Sequence, residues 1–334
     1  MSKKAGGKKK KKPEEEDLST EQLPKVYRRK CEALQATSCK QFREKIEEAL
    51  DDQDHVKKLH LFDPLQPLGI RAIMESLADL KYKHLQSIKL VKVECQDEGV
   101  QYICNYMEKG QCVKLLNLPH NEITFVGCEF LGKTVGNTLH VKLQKLKLDF
   151  NNIGTKGLAL LAKGLCMNPF LERLSLNFCN IDSNGAKYLQ QILAYVDSSL
   201  HTLKLRGNFL RNEGIYQLFR ALECNNWLQK LIVANNQFGE SEEIPVIEKI
   251  CEVMMKNNSL QIYDLDLNGI YDDGARKLFE CYKMYKVIKR IPLQDLISKE
   301  IKMDFKKIQK KRKFKLKKKK KKKKKKGKGK KKKK

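Results

Sequence analysis

One spacing constrains this chain more than any other: L-x-x-L-x-L-x-x-N-x-I returns about every 29 residues, with a glycine fourteen positions after the first leucine. The register starts at Val113 (Leu116, Leu118, Asn121, Ile123, Gly127), Leu143 (Leu146, Leu148, Asn151, Ile153, Gly157) and Leu171 (Leu174, Leu176, Cys179, Ile181, Gly185). It continues at Leu200 (Leu203, Leu205, Asn208, Leu210, Gly214), Leu228 (Leu231, Val233, Asn236, Phe238) and Leu260 (Tyr263, Leu265, Asn268, Ile270, Gly274). Upstream, Leu85 fits through Ile88, Leu90 and Gly99, and Val56 through Leu59 and Leu61. The L-x-L alternation has period two, which predicts a short strand with one face inward. Beyond the glycine, apolar pairs four apart (Leu161/Leu165, Leu189/Leu193, Leu218/Leu222) predict the inner stripe of a helix. One strand and one helix cannot bury their apolar sides alone, so the units must stack. The asparagine stands where the chain leaves the strand, and its amide can satisfy backbone groups of a buried turn. Cys179 is a small apolar substitute at that place.

The pattern resembles the ribonuclease-inhibitor-like class of leucine-rich repeat proteins, over roughly residues 56–285. The resemblance implies an α/β solenoid, a horseshoe of about eight repeats of 28–29 residues. Parallel strands would line its concave face and helices its convex face. Folds of this kind are mostly binding surfaces, so the resemblance fixes architecture more than chemistry. It also implies a context, since short stand-alone proteins of this class are often assembly subunits of cilia, seated along microtubule doublets. Others activate the Ran GTPase, but those carry an acidic tail and this chain ends in lysines.

Charge divides the chain into segments. Of 69 basic residues, seven lie in 1–12 and twenty-three in 306–334, which leaves 39 between 13 and 305 against all 40 acids. The body is balanced and the +29 excess sits at the two ends. The expected organisation is a basic-then-acidic N-terminal tail (1–17), a helical cap (18–55), the repeats (56–285), a helical segment (286–312) and a poly-Lys tail (313–334). Within the cap, Ser38-x-x-Gln41 before Phe42, Ile46 and Leu50 reads as a capping box, preceded by a helix around 24–35. After the repeats, Leu293, Leu296, Ile297, Ile301, Phe305 and Ile308 keep a helical stripe that either covers the last repeat or stands as a separate amphipathic segment. The lysine runs cannot bury anything and are read as disordered, attracting polyanions without base-stacking aromatics. The N-terminal residues hold no signal-peptide stretch, and no window reaches the roughly 18–20 apolar residues of a membrane span. Eleven scattered cysteines without a C-x-x-C pair read as reduced thiols of a cytosolic or nuclear compartment.

Searches for chemistry come out negative. GCEFLGKT, residues 127–134, matches the phosphate-loop pattern literally. The repeat register nevertheless puts Gly132, Lys133 and Thr134 in mid-helix, away from any strand, where no phosphate could be wrapped. The six histidines form no metal-spaced pair, so no cofactor or metal is expected. Asn257-Asn258-Ser259 is a glycosylation sequon that means little without secretion.

The strand positions facing away from the core carry the functional reading. For the central repeats these are Lys145, Lys147, Asp149, Arg173, Lys204, Arg206 and Lys230, a basic band roughly 15 Å long at about 4.8 Å per strand. The last unit offers Asp264 and Asp266 instead, and the first half is less charged, with Leu115, Asn117 and Pro119. Strand residues that face water are polar in any protein. The sharper expectation is a docking face for a protein with an acidic patch, with Arg173 and Arg206 as bidentate anchors. Together these readings describe a non-enzymatic scaffold with no small-molecule substrate, on a tubulin or axonemal partner in the cytoplasm or cilium. The alternative is a nucleolar, RNA-associated protein using its tails for import and RNA binding; lipid is the least suited polyanion, with no apolar anchor beside the charge.

Overall fold

The computed structural model describes residues 17–110, 112–293 and 296–313. Each L-x-L run forms a strand: β1 (Lys58–Leu61), β2 (Ser87–Leu90), β3 (Leu115–Asn117), β4 (Lys145–Lys147), β5 (Arg173–Ser175), β6 (Thr202–Lys204), β7 (Lys230–Ile232) and β8 (Ile262–Asp264). They pair in chain order into one parallel sheet. The register sets Leu59, Ile88, Leu116, Leu146, Leu174, Leu203, Leu231 and Tyr263 side by side, all buried. A parallel connection needs a crossover, and each repeat supplies one as a helix. These are α3 (Gln66–Asp79), α4 (Gln96–Gly110), α5 (Phe125–Gly136), α6 (Gly154–Leu165), α7 (Ala186–Ala194), α8 (Arg211–Leu222), α9 (Val246–Lys256) and α10 (Asp272–Met284). The architecture is an α/β solenoid of stacked strand–helix repeats, with the parallel strands side by side in one sheet.

Two asparagine ladders run through the solenoid. Asn151 Oδ1 accepts from the amides of Asn121 and Ile123 in the preceding repeat, while its Nδ2 donates to the carbonyls of Leu118 and Leu148. Asn208 does the same with Cys179, Ile181, Leu176 and Leu205. Cys179 takes part as a donor, its thiol reaching the Leu148 and Asn177 carbonyls at 3.3 and 3.4 Å. The second set lies three residues before the units that start at Leu171, Leu228 and Leu260, at Asn168, Asn225 and Asn257. Asn257 donates to Leu222 and Asn225 and accepts from Ser259 and Leu260, so the sequon amide is buried and committed.

Both ends of the sheet are covered. Before β1 stand α1 (Ser19–Leu34) and α2 (Lys40–Asp51), with Pro24 inside α1. Helix α1 begins at Ser19, earlier than the helix expected around 24–35, and no Ser38–Gln41 capping box forms. Cys39 is the N-cap of α2 and gives its N–H to Tyr27 Oη, while Gln41 accepts from Phe62 N on the first repeat. Beyond β8, Tyr263 N and Leu265 N donate to the carbonyls of Arg290 and Pro292. A helix over 299–313, α11, then lays Ile301 and Phe305 onto the last repeat. Phe305 stacks on Tyr282, and Arg312 covers that ring while donating to the Tyr282 and Ile288 carbonyls. No helix among the described residues is long and apolar enough to cross a membrane.

Candidate functional site

Strand alternation and repeat register arrange the outward side chains of the concave face in rows. One row runs Lys58, Ser87, Leu115, Lys145, Arg173, Thr202, Lys230, Ile262. The next runs His60, Lys89, Asn117, Lys147, Ser175, Lys204, Ile232, Asp264. Lys145 and Arg173 are therefore direct neighbours, and Lys147 and Lys204 stand on either side of Ser175. Among the described residues, no carboxylate comes within ion-pair distance of Lys145, Lys147, Arg173, Lys204 or Lys230. The crowding registers on Lys147, whose pKa is held below the usual lysine value by burial and by Lys204, Lys89 and Arg173.

Three other residues expected at the face are engaged within the fold. Asp149 Oδ1 accepts from Ser175 Oγ at 2.7 Å and from Asn177 N at 2.9 Å, so it links two repeats. Arg206 Nη2 reaches Asp264 Oδ2 at 3.3 Å across β7, which joins the basic and acidic parts of the face. Oδ1 of Asp264 is buried without a hydrogen-bond partner among the described residues. Asp266 lies beyond the end of β8, its carbonyl accepting from Asn235 N.

Sequence reasoning missed a second feature of this face. Seven residues into successive repeats, just past the strands, His120, Phe150 and Phe178 all take left-handed backbone, with φ of 55°, 59° and 53°. Their rings stack in a column, 4.2 Å between His120 and Phe150 and 4.7 Å between Phe150 and Phe178, within 10° of parallel. All three are exposed. Phe178 closes the column against Gly207, where a Cβ would fall 2.2 Å from ring carbons. The signal was available as DFN and NFC following consecutive strands, but contact between the rings requires knowing the repeat register.

The phosphate-loop match resolves into packing. Gly127 to Thr134 lie inside α5, Lys133 pairs with Glu129, and buried Thr134 donates to Glu108. Gly132 and Gly164 are glycines because α5 and α6 touch backbone to backbone there: a Cβ on either would come within 2.4 Å of a carbonyl oxygen. A cluster of Asp17, His55 and His84 near the N-terminal cap has ligand atoms within 4.8 Å of one another. The two imidazoles stack at 3.5 Å, so their in-plane lone pairs run parallel and one ion cannot lie on both.

Comparison with known proteins agrees with the fold. A Leucine Rich repeat family model matches residues 140–162 and 168–189. Mouse ribonuclease inhibitor is 26% identical over 254 residues, covering 67% of this chain and 54% of that protein. Bovine NACHT, LRR and PYD domains-containing protein 9 is 29% identical over 206 residues, covering 60% and 20%. The chain thus spans about half or less of these relatives. A yeast Rad7–Elc1 complex aligns over 85% of this chain and 90% of the matched one, with 13% identity and a TM-score of 0.38.

Proposed function

We propose that this chain, a leucine-rich repeat protein of the ribonuclease-inhibitor-like type, is a non-catalytic scaffold that docks an acidic protein surface on its concave face. The observation that carries the reading is the set of Lys145, Lys147, Arg173, Lys204 and Lys230, placed together with no carboxylate within ion-pair distance among the described residues. Cations held at each other's expense on a concave wall focus a positive potential, and an anionic partner relieves it. The lysine-rich ends, of which 1–16 and 314–334 lie outside the described residues, supply a second, unspecific attraction to polyanions. An acidic, regularly repeated partner suits both elements, and the tubulin surface of ciliary or other microtubules in the cytoplasm has that character.

The test is the location of tagged full-length protein in a ciliated cell beside its Lys147→Glu/Arg173→Glu variant. The reading expects axonemal protein that the double variant releases. Nucleolar accumulation, insensitive to the variant, would replace it with the RNA-associated alternative. Binding to RNA through the tails would then fall about 10³–10⁵-fold between 50 and 200 mM salt for 6–10 phosphate contacts.

A further inference from the structure

The stacked column of His120, Phe150 and Phe178 stands apart from the other ring contacts of the described residues. It is solvent-exposed, whereas the other stacked or edge-on ring pairs among the described residues are buried or half-buried. It stands on left-handed backbone, which is costly for a bulky side chain. The same repeat position is left-handed in other units too, at Lys92, Gly207, Asn235 and Leu267, so the conformation belongs to the repeat and the contiguous rings are what is particular to these three units. What distinguishes these units is a run of neighbouring rings held in water, and contiguous exposed apolar patches gather where a surface is used.

Geometry narrows the occupant. The rings stack along the repeat direction, so the faces of Phe150 and Phe178 are spent on their neighbours and on Gly207. What they turn to solvent is their edges. Ring edges carry the positive side of the aromatic quadrupole, which favours carboxylate oxygens and the faces of incoming aromatic rings in T-shaped contact. Nucleobases need open ring faces to stack upon. The adjoining cations point the same way: Phe150 lies three residues past Lys147 and Phe178 five past Arg173, just beyond the ends of β4 and β5.

We infer that this column is an anchoring subsite for an extended acidic peptide segment bearing aromatic side chains, whose carboxylates run onto Lys145, Lys147 and Arg173. The inference rests on the concave face being the docking surface. It divides the work: the lysine rows set attraction and the ring edges set which acidic segment stays bound.

Fluorescence anisotropy on the full chain tests it with three labelled probes of matched length: a random Glu/Tyr copolymer, poly-glutamate and single-stranded poly(U). The wild-type chain binds the Glu/Tyr copolymer about tenfold more tightly than poly-glutamate. Phe150→Asn/Phe178→Asn removes that margin and leaves poly-glutamate affinity unchanged. Asparagine suits left-handed backbone, so this variant keeps the fold, and its melting temperature verifies that. A margin that survives in the variant, or is missing from the wild type, overturns the inference. So does poly(U) binding that falls with the two rings, which would mark a nucleic-acid surface. Lys147→Glu/Arg173→Glu separates the two levels. If it weakens both polypeptides, the docking face stands whatever the rings do; if it weakens neither, the docking face and the subsite fall together.

Discussion

At the scale of single residues, the solenoid is held by side chains that finish the backbone's hydrogen bonding. Replacing Asn151 by alanine strands the amides of Asn121 and Ile123 and the carbonyl of Leu118, and leaves the Leu148 carbonyl to the Cys179 thiol. At about 1–3 kcal/mol for a buried unsatisfied group, Asn151→Ala is expected to cost on the order of 3 kcal/mol or more. Cys179 serves the carbonyl side of the same role only as a thiol. Cys179→Asn should add an acceptor for Asn151 N and Ile153 N and stabilise the chain by about 1 kcal/mol. Urea unfolding checks both signs. The thiol also has a pH signature, because burial pushes Cys179 from its ordinary 9.0 up to about 12. With the folded pKa above the unfolded one, its contribution is complete below pH 9.0 and is lost as pH rises through about 12. In Cys179→Asn that share of the alkaline loss is missing. The role of Asn151 was readable from the sequence, since any polar residue where a strand turns inward must bond its own backbone. The stack of Phe150 on Phe178 was not, because it depends on a contact between repeats at a position whose left-handed backbone no spacing reveals.

At the scale of elements, α5 shows how a motif can be spelled by packing. Its glycines let it approach α6 to backbone contact, and its lysine sits on the exposed side paired with Glu129. Gly132→Ala must push a Cβ into the Leu160 carbonyl and should destabilise by about 1–3 kcal/mol, the usual range for overpacking. Lys133→Ala removes one exposed pair and should change stability by less than about 1 kcal/mol. Thermal melts of the two variants distinguish this account from a phosphate loop, in which the lysine would be the sensitive residue; titration with ATP should leave both melts unchanged. The repeat register had already placed these residues in mid-helix. What it could not show is why they are glycines, since that depends on the distance between neighbouring helices. The capping-box reading at Ser38 missed for the same reason: Gln41 is claimed by Phe62, a partner 21 residues away.

At the scale of the whole molecule, charge is distributed against the stability of the isolated chain. Strand alternation located the cations on one face, but not which of them the fold consumes. The Arg206–Asp264 pair spans 58 residues of sequence, and only the stacking of repeats brings it together. Burial first, and then the neighbouring cations Lys204, Lys89 and Arg173, hold the Lys147 pKa below the ordinary lysine value of 10.5. A depressed lysine pKa means that the folded chain gives up the proton before the unfolded chain does. Stability attached to Lys147 therefore rises with pH between the folded value and 10.5, the reverse of the Cys179 contribution. Lys147→Gln should raise stability at neutral pH by up to about 1 kcal/mol and flatten that alkaline rise. The same substitution should weaken capture of an acidic partner, because the repulsion relieved in the variant is what an anion would relieve on binding. Denaturation of free Lys147→Gln and its titration with the Glu/Tyr copolymer are therefore expected to move in opposite directions. A gain in stability with no loss of binding would mean that the crowding of lysines on this face is a property of the repeat alone.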